Sequence, residues 1–88
     1  MSNKGMLYIV ATPIGNLEDI TLRALRVLKE VDTILAEDTR VTKKLLSRYE
    51  IRTRVERFDA HIEAKHLGKS DSPNVVRRLM EGETFALV

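Results

Sequence analysis

MLYIVATPIGNLEDITLRALRVLKEVDTILAEDTR, residues 6–40, carries the reading of the fold. It opens on Met6–Ala11, a short and almost unbroken apolar run with Gly5 before it and Thr12-Pro13 after it. Such a run reads as a strand buried on both faces, and so as a central strand of a parallel sheet. Thr12–Asn16, TPIGN, is a turn cluster. Thr21 can cap a helix running to about Lys29, in which Leu22, Ala24, Leu25 and Leu28 recur at helical spacing. Thr33–Ala36 is a second short strand, and Glu37-Asp38-Thr39 leads into a second helix at about Arg40–Tyr49.

The pattern continues beyond this stretch. On the second helix Val41, Leu45, Leu46 and Tyr49 form an apolar side, with Arg40, Lys43, Lys44, Ser47 and Arg48 opposite. Thr53–Phe58 fits a third strand, and His66–Pro73 is polar and turn-rich, as in a loop. Asn74–Met80 is a short helix with Pro73 near its first turn, and Glu83-Thr84 leads into Phe85–Val88. The order β-α-β-α-β-α-β predicts an α/β fold, a mostly parallel sheet with flanking helices and right-handed crossovers. Phe85–Val88 resembles the opening of a buried strand. Residues 1–88 are therefore expected to be an incomplete N-terminal α/β domain of a longer protein.

Composition narrows the classes without choosing a function. At 88 residues the chain holds one small domain, and its 43% hydrophobic and 32% charged residues are ordinary for a globular protein. The absence of cysteine excludes a disulfide framework, a thiol nucleophile and a thiolate metal site. No apolar run approaches the roughly 18 residues of a membrane span, and the MSNKG start lacks a secretory pattern, so a cytoplasmic location is expected. Net charge is only +2. Residues 40–57, however, hold seven basic and two acidic residues, a local +5 that leaves −3 for the rest. Such asymmetry fits a surface facing a polyanion.

In an open parallel sheet, ligands bind beyond the carboxyl ends of the strands. Thr12–Asn16 and Glu37–Arg40 each follow such an end, and the two loops are expected side by side around one concavity. Gly15 would let backbone approach a ligand, Pro13 stiffens the turn, and Asn16, Glu37, Asp38 and Arg40 offer polar contacts. A plainer reading fits the same residues, with TPIGN a mere turn and Asp38 or Thr39 a helix cap. Neither G-x-G-x-x-G nor a P-loop is present. Asp59, His61 and Glu63 alternate, but solvated side chains explain them better than a metal site, and no metal is expected. Arg40, Lys43, Lys44 and Arg48 fit phosphate contacts or an ordinary solvated face.

The segments YIVATPIGNLEDIT (Tyr8–Thr21) and AEDTRVTKKLL (Ala36–Leu46) are long and unusual. Together with the run Leu7–Ile51 around them, they resemble the tetrapyrrole (corrin/porphyrin) methylases, and within these the branch that methylates small-subunit ribosomal RNA. The chain departs from the family at Asp59-Ala60-His61-Ile62-Glu63, where the family usually shows His-x-His-Asn-Glu. The resemblance implies two α/β domains with S-adenosylmethionine between them. It also implies methyl transfer to a ribose 2′-hydroxyl of a cytidine in small-subunit ribosomal RNA, usually by a homodimer with no membrane association. On this basis Glu37 and Asp38 are the candidate catalytic carboxylates. Thr12, Pro13, Gly15, Asn16, Thr39 and Arg40 would line the cofactor cleft, and Lys43, Lys44 and Arg48 would contact RNA. A tetrapyrrole-ring methylase and a non-catalytic RNA-binding module are the competing readings. TPIGN argues against the first, because ring methylases more typically carry a Gly-x-Gly-Pro-Gly loop there.

Overall fold

The computed structural model describes residues 5–59 and 75–88. The first helix, α1 (Leu22–Glu30), begins where the Thr21 hydroxyl accepts a 3.0 Å hydrogen bond from the Ala24 amide. Ala24, Val27, Leu28 and the following Val31 are buried, an i, i+3, i+4, i+7 stripe. Leu22, which the spacing placed on that stripe, is 85% exposed, and Val27 takes its part. The second helix, α2 (Thr39–Arg48), also corrects one member of its expected stripe. Its buried stripe is Thr42, Leu45 and Leu46, with Tyr49 partly buried, whereas Val41 is 58% exposed. Thr42 is polar, so hydropathy alone chose its apolar neighbour.

Four strands form one sheet: β1 (Leu7–Ile9), β2 (Thr33–Ala36), β3 (Arg54–Arg57) and β4 (Phe85–Leu87). Every pairing is parallel, in the order β1-β4-β2-β3. Tyr8, Ala86, Ile34 and Val55 make one row across the sheet, and they meet Ala24, Val27, Leu28, Leu45 and Leu46 of the two helices in the core. The neighbouring row, Leu7, Phe85, Thr33 and Arg54, points to the opposite face. There the third described helix, α3 (Val75–Met80), sets the Arg78 guanidinium 4.9 Å from the Phe85 ring centroid.

One expectation for the sheet is corrected. Met6–Ala11 is not the buried central strand among the described residues. β4 returns between β1 and β2, so β4 is central and β1 pairs with β4 alone. Ile9 is accordingly 68% exposed, while Phe85 and Ala86 are fully buried. An unbroken apolar run thus fixes neither the strand's place in the sheet nor the burial of both its faces, since Leu7 and Ile9 are exposed.

Arg78 ties α3 to the sheet. It donates to both carboxylate oxygens of Glu56 at 2.9 and 2.8 Å, and to both of Glu83 at 2.9 and 2.6 Å. The Thr33 hydroxyl adds a 2.9 Å bond to Glu83. The Arg78 hydrogen bonds hold both carboxyls below their ordinary value of 4.5, and the two carboxylates raise the guanidinium in turn. Sequence reasoning missed this cluster, because its members come from β2, β3, α3 and the turn before β4. The expected loop at 66–73, together with Asn74, His61 and Glu63, lies outside the described residues.

Candidate functional site

β2 is buried along its whole length and delivers Glu37 to its carboxyl end, where the side chain is exposed. Asp38 follows as the N-cap of α2. Its Oδ1 accepts from the Arg40 amide at 3.1 Å and the Val41 amide at 3.4 Å, and its carbonyl accepts from the Thr42 amide. The Asp38 carboxylate therefore holds the helix start, as the plainer reading expected. Arg40 Nε lies 3.8 Å from the same Oδ1, but its side chain is 90% exposed and adds little stability.

A concavity of about 460 Å³ opens here, lined by Glu37, Asp38, Thr39, Arg40 and Arg57. Arg57 enters because β3 runs parallel to β2 and pairs Arg57 with Ala36, the residue before Glu37. Sequence analysis counted Arg57 only as part of a basic stretch. Its place beside Glu37 depends on strand register, which local sequence does not reveal.

The other loop stands at the same end of the sheet, since all the strands are parallel. It is not beside the first, because β4 lies between β1 and β2. Two strand spacings, about 10 Å, separate the strands that carry the loops. The concavity at Glu37–Arg40 is completed by Arg57 and not by Thr12–Asn16, which corrects the expected pairing. Within this loop Asn16 caps a 3-10 turn at Leu17–Asp19, its side chain accepting from the Glu18 amide at 3.0 Å. Gly15 adopts φ 99°, and no atom lies within 4 Å of where a Cβ would stand. Only glycine takes that conformation readily, and the peptide remains open to a ligand. Thr12 and Pro13 are half-buried, and Ile14 is fully exposed.

The basic side of α2 is exposed as expected, but its members are not equivalent. Arg48 Nη2 meets Glu18 Oε1 at 3.4 Å, and its guanidinium lies 5.8 Å from the Tyr49 ring centroid. The Tyr49 hydroxyl donates to the Leu17 carbonyl at 2.6 Å, so the end of α2 is tied to the 3-10 turn. Lys43 and Lys44 make no ion pair among the described residues. Among those residues no helix is long and apolar enough to cross a membrane.

Comparison with known proteins places this geometry in a lineage. The family described as Tetrapyrrole (Corrin/Porphyrin) Methylases matches residues 6–87. A Halalkalibacterium halodurans protein named Ribosomal RNA small subunit methyltransferase I is 52% identical over 86 residues, 98% of this chain and 28% of that protein. The Bacillus subtilis protein of the same name is 47% identical over 87 residues, 99% of this chain and again 28% of its own length. The one from Thermotoga maritima is 48% identical over 84 residues, 96% of this chain and 36% of its length. This chain thus spans about a third or less of the relatives it matches. With the family matched from the first strand to the last, the chain belongs to the tetrapyrrole (corrin/porphyrin) methylases.

Proposed function

We propose that this chain is an incomplete N-terminal α/β domain of a longer S-adenosylmethionine-dependent methyltransferase. Its substrate is a ribose 2′-hydroxyl of a cytidine in small-subunit ribosomal RNA, and the longer protein is a cytoplasmic homodimer. The identity of 52% across 98% of the chain to a protein named as a small-subunit ribosomal RNA methyltransferase is the observation that supports this reading, and the ribose, cytidine and dimer are what the family resemblance adds to it.

The residues at the sheet's carboxyl end suit the task. The open peptide at Gly15 fits close approach by a small ligand, so Thr12, Pro13, Gly15 and Asn16 would hold the cofactor on one side. Thr39 and Arg40 would bound it on the other. When bound, S-adenosylmethionine supplies a methyl group already activated by its sulfonium. What remains for the protein is alignment, exclusion of water and acceptance of the hydroxyl proton. Of the two carboxylates, Glu37 is better placed to accept that proton, because Asp38 Oδ1 already receives two backbone amides. Asp38 sets the position of Arg40 and the helix start.

The test is methyl transfer by the full-length protein from labelled S-adenosylmethionine to small-subunit ribosomal RNA. Label is expected on a cytidine 2′-oxygen. Glu37→Gln should lower kcat about 100-fold or more while RNA affinity stays near wild type. Label entering a tetrapyrrole instead would select the ring-methylase reading. RNA binding without any transfer would select the binding-module reading.

A further inference from the structure

Among the described residues, arginines line concavities at both ends of the sheet, and they differ in what they already do. One, of about 500 Å³, lies at the amino end of the sheet and is lined by Lys29, Asp32, Glu50, Arg52 and Arg54, among others. Helix α1 ends there, so Lys29 in its last turn sits where a cation offsets the partial negative charge of the helix carboxyl terminus. Arg54 is paired with Glu56 at 3.2 Å, and Asp32 accepts from the amide and hydroxyl of Thr84. Arg54 and Asp32 are thus engaged without a ligand.

The concavity beside Glu37 is different. Arg57 is exposed and makes no ion pair among the described residues. It comes from β3, whereas Arg40 comes from α2, so two elements bring guanidiniums to the one concavity that holds Glu37. The Asp38 carboxylate caps the start of α2 through its Oδ1 and makes no ion pair with Arg57. Glu37, Asp38, Arg40 and Arg57 together sum to zero charge. Without Arg57 the same concavity would be net negative and would repel a phosphodiester.

We infer that Arg57 is a substrate-binding residue that holds the RNA phosphate adjoining the ribose presented to Glu37. The inference rests on the methyltransferase reading above. A nucleotide within a chain carries a phosphate on each side of its sugar. Two cations on different elements, sharing one concavity with the Glu37 carboxylate, match that arrangement. A planar guanidinium also suits phosphate oxygens.

The test uses Arg57→Gln and Arg57→Lys in the full-length protein, with small-subunit ribosomal RNA as the probe. Arg57→Gln should raise KM for RNA about tenfold, as expected for loss of one charged hydrogen-bonding contact. It should leave kcat and S-adenosylmethionine affinity within about twofold. The slope of log K against log salt should fall by somewhat under one unit. Arg57→Lys should restore most of the affinity and the slope, since a phosphate accepts a point charge. An unchanged RNA KM and slope would overturn the inference. So would a loss confined to S-adenosylmethionine binding, or a lysine variant no better than glutamine. Direct RNA binding without methyl donor separates the two failures. A wild type that binds RNA but transfers nothing sinks the methyltransferase reading, whereas Arg57→Gln binding like wild type sinks the role of Arg57.

Discussion

Glu50 closes α2 at φ 57°, the left-handed region where residues with a Cβ are strained. The hydrogen bonds around it require that conformation. The Ile51 amide donates to the Leu46 carbonyl at 2.8 Å, and the Glu50 amide to that of Ser47 at 3.2 Å, a Schellman motif in which glycine usually holds this position. Leu46 and Ile51 both belong to the core, so the turn cannot relax without unpacking them. Glu50→Gly should therefore stabilise the fold by about 1 kcal/mol, the left-handed penalty less glycine's extra unfolded entropy. Urea unfolding measures this, and a destabilised glycine variant would show that the Glu50 side chain supports the fold. The sequence held no sign of this strain, because a Glu after Tyr49 is unremarkable until the helix end is located. The Asp38 cap, by contrast, was legible as one of two readings, since an Asp before a helix has a local job whatever the tertiary fold.

At the scale of elements, two attachments decide what α2 and α3 can do. Arg78 joins α3 to β3 and β4 through Glu56 and Glu83, with side chains only 22–27% exposed. Both carboxyls titrate below 4.5 in the folded protein because Arg78 hydrogen-bonds their charged forms. Their stabilisation is thus fully present above the unfolded value near 4.5 and is lost as pH falls through the lower folded values. Unfolding free energy should fall as pH drops below about 4.5, and Arg78→Met should flatten that decline. At neutral pH the same variant should cost about 2 kcal/mol, because two half-buried carboxylates lose their shared guanidinium and keep only Arg54 beside Glu56 and the Thr33 hydroxyl on Glu83. An unchanged acid limb in the variant would show that other groups govern acid unfolding. On α2 the question is RNA. Replacing Lys43, Lys44 and Arg48 with Ala in the full-length protein should weaken RNA binding and reduce its salt slope, with S-adenosylmethionine affinity nearly unchanged. Arg48 also pairs with Glu18, so the double variant at Lys43 and Lys44 isolates the electrostatic part. A folded triple variant with wild-type affinity and slope would return this face to ordinary solvated surface.

Across the whole molecule, the site is a matter of which strand ends lie together. The chain spans 28% of its relatives from Halalkalibacterium halodurans and Bacillus subtilis. Under the proposed two-domain reading, the isolated 88 residues should bind S-adenosylmethionine too weakly for micromolar calorimetry to detect, while the full-length protein binds it readily. Micromolar binding by the isolated chain would overturn this. The sequence by itself determined the elements, their parallel order and the loops that follow β1 and β2. Each of these depends on interactions within a few residues: apolar runs, helical spacing, a capping Thr or Asp. It also determined the lineage, through the segments Tyr8–Thr21 and Ala36–Leu46. Only the tertiary structure decided that β4 stands between β1 and β2, that Thr42 rather than Val41 faces the sheet, and that Arg57 lies beside Glu37. The reason is physical. Strand order, helix rotation and register depend on contacts between residues up to about 80 positions apart, such as Leu7 with Phe85, and local propensity carries no information about which distant strand will fill the gap.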